Sequence, residues 1–258
     1  MKGILFDVTK CIGCGACRDA CRVQNNLPET DDKELSSRTF TVLKTAGELN
    51  YRRLCMHCLD PTCASVCPVG AFRKTAAGPV TYAPDRCMGC RYCMVACPFG
   101  VPRYEWDKPL PLVRKCTMCS DRVLAGGVTA CSEACPTAAT LFGDRDTLIK
   151  EARARIAAEP GKYVDRIYGV EEAGGTSVLY ISPVAFERLG LPHSVGKEPL
   201  PLLTYAVLSK IPHFVAFGSV FLGGVWWITN RRAEVARAEK EEQRNGGRKQ
   251  AEGKGARS

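Results

Sequence analysis

The sequence predicts an α+β fold made of small cysteine-rich modules followed by one C-terminal transmembrane helix. Three observations predict it. Sixteen of the 258 residues are cysteine, and they fall into four groups of four with none left over. The hydrophobic fraction reaches 45% only with cysteine included, so something other than aliphatic packing is expected to hold the chain together. Late in the chain, Ile211 to Ile228 runs with His213 as its sole ionisable side chain.

The cysteine spacing carries the chemistry. The groups are Cys11-x2-Cys14-x2-Cys17-x3-Cys21, Cys55-x2-Cys58-x4-Cys63-x3-Cys67, Cys87-x2-Cys90-x2-Cys93-x3-Cys97 and Cys116-x2-Cys119-x11-Cys131-x3-Cys135. Groups one and three have the bacterial ferredoxin spacing, completed in group three by Pro98. Pro68 and Pro136 follow groups two and four in the same way, whereas group one has Arg22 there. Three thiolates two residues apart can wrap one face of an iron–sulfur cubane, and Gly13, Gly15 and Gly89 relieve backbone crowding around it. The fourth cysteine is expected to begin a short helix and reach the other cluster of a pair. Proline after it restricts the backbone and removes an N–H. Four groups therefore predict four [4Fe–4S] clusters in two ferredoxin-like pairs.

Rival chemistries fit less well. A disulfide framework would need an oxidising milieu and would not repeat this spacing. Zinc knuckles could use groups two and four, but three cysteines on two tight intervals do not suit a tetrahedral ion. The formal charge of +9 invites a nucleic-acid reading. Each [4Fe–4S]²⁺ core with four thiolates carries a charge of about −2, so four would bring the holoprotein to about +1. That removes the main support for a nucleic-acid partner, and none is expected.

These residues resemble a known family. Cys11-Ile12-Gly13-Cys14, Cys55-Met56-His57-Cys58 with Asp60-Pro61, and Cys90 to Pro98 look like the four-cluster electron-transfer (beta) subunits of membrane-bound respiratory oxidoreductases. Lys115-Cys116-Thr117-Met118-Cys119, Asp121-Arg122 and Ala134-Cys135-Pro136-Thr137 continue the match, as does Gly174-Gly175-Thr176 before Val178-Leu179-Tyr180. The best fits are the formate dehydrogenase beta subunit and the iron–sulfur subunit of quinone-linked [NiFe] hydrogenase. The resemblance implies two ferredoxin-like (bacterial dicluster) modules nested in sequence, residues 1–25 with 110–145 around 50–105, within a four-cluster domain at 1–145. It also implies the ligand sets. Cluster 1 would take Cys11, Cys14, Cys17 and Cys135; cluster 2, Cys55, Cys58, Cys63 and Cys97. Cluster 3 would take Cys87, Cys90, Cys93 and Cys67; cluster 4, Cys116, Cys119, Cys131 and Cys21.

The rest of the chain reads as support. Residues 22–54 suggest a loop and then a strand or two around Phe40-Thr41-Val42-Leu43, and Val80-Thr81-Tyr82 suggests a short strand. The insertion Ser120 to Ala130, beside a cluster, is either a docking surface or a solvated loop. Within 146–200, a capping helix and strand segment, Asp146 is the expected N-cap of a helix running to about Ala158 and closed by Pro160-Gly161. Its Leu148, Ile149, Ala152 and Ile156 should pack on the cluster domain.

The apolar run meets the roughly 20 residues a bilayer core requires, which places a transmembrane anchor at 205–230. Trp226 and Trp227 at one end and Tyr205 beyond the other suit membrane interfaces. Positions 191–210 hold two Lys/Arg and positions 229–248 hold six. That asymmetry predicts a cytoplasmic C-terminus and a periplasmic cluster domain at the bacterial inner membrane, with a cytoplasmic cluster domain the alternative. The tail, 231–258, carries nine Lys/Arg against five Asp/Glu and is expected to be a basic cytoplasmic segment near membrane lipid. The first residues show no signal peptide and no twin arginine, and the resemblance implies export alongside a catalytic partner that carries the signal.

The expected function is electron relay between a catalytic molybdopterin or [NiFe] subunit and an integral membrane quinone-reactive subunit, in which haem b often receives the electrons. The chain itself shows no nucleophile–base pair, flavin or nucleotide fingerprint, so it is expected not to be an enzyme on its own. His213 is expected to be a headgroup-level contact rather than a haem ligand, and His57 to tune a cluster rather than ligate it. Arg18, Arg22, Arg86, Arg91 and Lys115 adjoin ligands and could raise cluster potentials. The alternatives are the electron subunit of a sulfur-compound or sulfoxide reductase, and a free polyferredoxin.

Overall fold

The segment Lys-Gly-Ile-Leu-Phe-Asp near the start forms strand β1 (Lys2–Asp7), with Ile4, Leu5 and Phe6 all buried. A strand apolar on both faces belongs at the centre of a covered sheet, and β1 lies there. The computed structural model describes residues 1–255, with the side chains of residues 1–243. Helix α1 (Ala16–Gln24) follows, then β2 (Val42–Ala46) and β3 (Leu49–Arg53), which pair as a hairpin where the 22–54 segment suggested a strand or two. Next come α2 (Thr62–Ser65), β4 (Phe72–Lys74), β5 (Val80–Tyr82) and α3 (Tyr92–Ala96). Two-residue strands β6 (Arg103–Tyr104) and β7 (Val113–Arg114) lead to α4 (Ser120–Leu124) and α5 (Ala130–Glu133). Strand β8 (Thr140–Asp144), α6 (Arg145–Ala158) and β9 (Val178–Ile181) complete this part.

The three-stranded sheet has the order β8-β1-β9, with β8 antiparallel and β9 parallel to β1. Ile4 and Phe6 face the main core with Tyr168 and Tyr180. Leu5 faces the other way, where Leu148 and Ala152 of α6 cover it with Leu179 and Ile181. The helix therefore packs on the sheet by the residues its sequence singled out.

Two local expectations are corrected. The cap of α6 is Asp144 rather than Asp146, which sits in the first turn. Pairing with β1 carries β8 to Asp144, the Arg145 N–H donates to the Met1 carbonyl, and the Asp144 carboxylate meets Lys2 Nζ at 3.1 Å. No fourth cysteine begins a helix: Cys21 lies inside α1, and Cys67, Cys97 and Cys135 come just after the ends of α2, α3 and α5. The third cysteines, Cys17, Cys63, Cys93 and Cys131, lie inside α1, α2, α3 and α5, and Cys97 is the C-cap of α3 with extended backbone. A residue before proline is pushed out of the helical region, so Pro98 stops α3 there. Group one has Arg22 in place of proline, and α1 runs on past Cys21 to Gln24.

Helix α1 packs on α5 and α2 on α3, bringing group one beside group four and group two beside group three. The Gly174–Thr176 segment and β9 clasp the Cys55 loop. Ser177 and Val178 donate N–H to the carbonyls of His57 and Met56, and Leu59 donates to Gly175.

Residues Met1–Leu203 form one compact unit and Thr204–Ser258 a second. The second contains most of α7 (Leu200–Leu208) and all of α8 (Ile211–Gly255). Pro212 interrupts them, because its ring opposes the carbonyl four residues back and it has no N–H to give. Leu200–Gln243 is long and apolar enough to cross a membrane, and the side chains of its apolar window have no burial within the protein. The basic segment after Asn230 continues α8 to Gly255; the last three residues of the expected tail lie outside the described residues.

Candidate metal centre

Each cysteine group folds back on itself at the second residue after its first cysteine. Gly13 (φ 73°), His57 (φ 50°), Gly89 (φ 72°) and Met118 (φ 58°) all adopt left-handed backbone there. The turn aims an amide at the first sulfur: the Met118 N–H donates to Cys116 Sγ at 3.3 Å, and Gly13 and Gly89 do the same for Cys11 and Cys87. Glycine makes two of these turns visible in sequence; His57 and Met118 hide the other two.

The sulfurs gather across groups. One cavity is lined by Cys11, Cys14, Cys17 and Cys135, and another by Cys55, Cys58, Cys63 and Cys97 with His57 and Lys115. Burial pushes the Cys93 thiol up to about 12, reinforced by Cys87, Cys90 and Cys67. Burial likewise pushes Cys21 up to about 12, reinforced by Cys131 and Cys119. Cys116 is driven well up by burial and then by Cys21. No disulfide joins any of the sixteen cysteines. Among the described residues no three His, Cys, Asp or Glu side chains converge on a single-ion site. The cages suit a polynuclear cluster rather than zinc.

Buried donors left without acceptors in the protein adjoin these cages. They include His57 Nε2 and all three nitrogens of Arg52. Native structures leave few buried polar groups unpaired, and the sulfurs of a bound cluster are the acceptors that would satisfy these. His57 lines the second cavity, where its Nδ1 accepts the Val80 N–H at 2.9 Å. That bond leaves the proton on Nε2. Burial, then Lys115 and Lys74, holds the imidazole well below its usual range.

Three thiols lie below their ordinary value despite desolvation. For Cys131, burial is outweighed by the Arg52 charge and the Thr129 hydroxyl. For Cys135, burial is outweighed by the Thr140 N–H and the Thr137 hydroxyl; for Cys87, by the Tyr82 hydroxyl and the Val113 N–H. Such sites favour the thiolate that iron ligation requires.

The cations expected to tune clusters divide sharply. Lys115 is buried and donates from Nζ to the carbonyls of Val80 and Cys116 at 2.8 and 2.9 Å. Arg18 and Arg86 are exposed, and Arg22 reaches only the exposed Glu29. Arg91 is exposed and stacks on Tyr104 and Trp106. Sequence reasoning missed Arg52, which is wholly buried. Its only signal was position, three residues before Cys55.

Comparison with known proteins agrees with this geometry. Residues 10–71 and 49–145 each match a family described as a 4Fe–4S dicluster domain. A protein of Nitratidesulfovibrio vulgaris is 40% identical over 258 aligned residues, covering 93% of this chain and 70% of that one. Hydrogenase-2 operon protein HybA of Escherichia coli O157:H7 is 37% identical over 238 residues, 74% of this chain and 72% of its own. The nitrate-inducible formate dehydrogenase iron–sulfur subunit of Escherichia coli K12 is 35% identical over 215 residues, 76% of this chain and 72% of its own. The chain, with its sixteen cysteines for four [4Fe–4S] clusters, belongs to the family of electron-transfer iron–sulfur subunits that includes HybA and the formate dehydrogenase iron–sulfur subunits.

Proposed function

We propose that this protein relays electrons from a catalytic subunit, of molybdopterin formate dehydrogenase or [NiFe] hydrogenase type, to an integral membrane quinone-reactive subunit, and performs no catalysis itself. The observation that carries this reading is the union of four cysteine cages in one unit with an apolar helix whose side chains have no burial within the protein. When bound, the clusters supply one-electron transfer at potentials set by hydrogen bonds, burial and nearby charge. The chain's own residues hold, space and desolvate the ligands. Ile12 and Met88, each beside the first cysteine of its group, are 64% and 65% exposed; they mark where partner cofactors could approach closely.

The ligand sets proposed are the crossed ones, with Cys135 and Cys21 exchanged between groups one and four, and Cys97 and Cys67 between groups two and three. The mixed linings of the two cavities and the packing of α1 on α5 and α2 on α3 support this exchange. The Lys/Arg asymmetry around the apolar segment supports a single-pass anchor in the inner membrane, with the cluster domain periplasmic and the C-terminus cytoplasmic.

Metal analysis of the complex that co-purifies anaerobically in mild detergent tests the relay. Molybdenum or tungsten would assign it to formate oxidation or a related molybdopterin enzyme, and nickel to hydrogen oxidation. Neither metal, with the protein alone and soluble, would overturn the relay in favour of a free polyferredoxin. Cys135→Ser, followed by electron paramagnetic resonance, should disturb the same signal as Cys14→Ser; disturbance of the Cys119→Ser signal instead would overturn the exchange.

A further inference from the structure

Arg52 is a buried charge that no carboxylate pairs with among the described residues. It is wholly inaccessible to solvent, and its guanidinium is permanently charged with five N–H donors. None of its nitrogens has a hydrogen-bond partner of normal geometry. The buried carboxylates have other partners: Asp7 pairs with Arg155, Glu105 with Lys108 and Arg114, and Glu172 with Arg166. Lys115, the other buried cation beside the cages, is satisfied by two carbonyls. An uncompensated buried ion is among the most destabilising things a fold can contain, so Arg52 requires a counter-charge.

Its surroundings offer one kind. The guanidinium carbon lies 5.6 Å from the centre of the Phe6 ring. The Tyr180 hydroxyl is already committed, donating to the Arg52 carbonyl at 2.8 Å. The sulfurs of Cys131 and Cys17, one from group four and one from group one, lie beside it and couple to it by both charge and hydrogen bond.

We infer that Arg52 is a counter-ion shared by two clusters, its guanidinium set between ligand sulfur Cys17 of one and ligand sulfur Cys131 of the other. A cation there favours the more negative, reduced form of both clusters and so raises both potentials together. The planar fork of arginine can face two acceptors at once, which a lysine ammonium cannot reproduce. This inference rests on the cluster reading above but not on the exchange of ligands. With or without exchange, Cys17 and Cys131 belong to different clusters.

The test is a redox titration of the whole detergent-purified complex, with each cluster followed by electron paramagnetic resonance. Cys14→Ser and Cys119→Ser mark the two relevant signals independently of the exchange. Arg52→Gln should lower the midpoint potentials of those two clusters by a tenfold or greater change in the reduction equilibrium, about 59 mV for a one-electron couple. The other two clusters should stay in place. Should Arg52→Gln fail to hold its clusters, Arg52→Lys, which keeps the charge, should hold all four and lower the two potentials unequally. Four unmoved potentials, a shift confined to one cluster, or an equal shift of all four would overturn the inference. So would loss of the clusters from Arg52→Lys. If Cys135→Ser disturbs the Cys119-marked signal, the exchange fails and the role of Arg52 stands.

Discussion

His57 shows how a side chain can hold a backbone that glycine would otherwise supply. Left-handed geometry costs a residue with a Cβ roughly 1–2 kcal/mol, and His57 adopts it at φ 50°. Three bonds offset that cost: Nδ1 accepts from Val80, and the carbonyl accepts from the Ser177 N–H and from Lys74 Nζ at 3.1 Å. Protonating Nδ1 would break the first of these. The imidazole is held well below its usual range by burial, then by Lys115 and Lys74, whereas an unfolded histidine titrates near pH 6.5. Below about pH 6.5 the unfolded chain therefore takes up a proton that the native chain refuses, and native stability falls with pH. Acidification from about pH 7 to 5 should speed bleaching of the cluster absorbance. His57→Asn should flatten that dependence, because asparagine tolerates the left-handed turn and can accept the Val80 N–H without titrating. His57→Leu should instead cost about 1–3 kcal/mol at every pH by stranding that N–H. A bleaching profile in which His57→Asn matches the wild type would refute this account.

At the scale of elements, the turn between β4 and β5, which lie between cysteine groups two and three, ties this part of the chain to β1. The Lys2 N–H donates to the Ala77 carbonyl at 2.8 Å, and Lys74 Nζ donates to Gly78, His57 and Ser177. Gly78 sits at φ 123°, and a Cβ there would lie 2.3 Å from the Lys2 carbonyl oxygen. Gly78→Ala must therefore push the turn off the central strand. It should expose the amides of β1 and β5 to hydrogen exchange while leaving those of α6 protected; unchanged exchange at Lys2 would show that the turn does not carry this join. Elements of this kind mark where sequence reading stops. The groups of cysteines, the short strand at Val80–Tyr82 and the end of α6 were legible because local chemistry dictates them. The register that sets β1 between β8 and β9 was not, since it joins residues more than a hundred positions apart. Arg52 was invisible for a related reason. An arginine in a polar-looking strand reads as surface until tertiary packing closes over it.

For the whole molecule, the decisive contrast lies between the two units. In Met1–Leu203 the cysteine cages and the sheet share a core, whereas the apolar residues of α8 are buried by nothing in the described protein. Phe214, Phe217, Val220, Phe221 and Trp226 are all exposed. An apolar helix with no burial in its own chain needs lipid or a partner helix to cover it. The cysteine cages and their core lie within Met1–Leu203, so removal of the helix should leave that core intact. A chain ending at Leu203 is therefore expected to retain about sixteen irons, four per [4Fe–4S] cluster, and to leave the membrane fraction without detergent. A mid-helix charge separates anchoring from partner attachment, because Val220→Arg adds about 2.5–3.5 kcal/mol to insertion at the bilayer centre. Anchoring by α8 itself requires both variants to lose membrane association in cells that lack the partner subunits. If full-length protein is soluble in those cells, lipid is not what covers the helix. The apolar surface would then be a docking face for a partner's own spans, and the truncated chain would retain its iron while failing to join the complex.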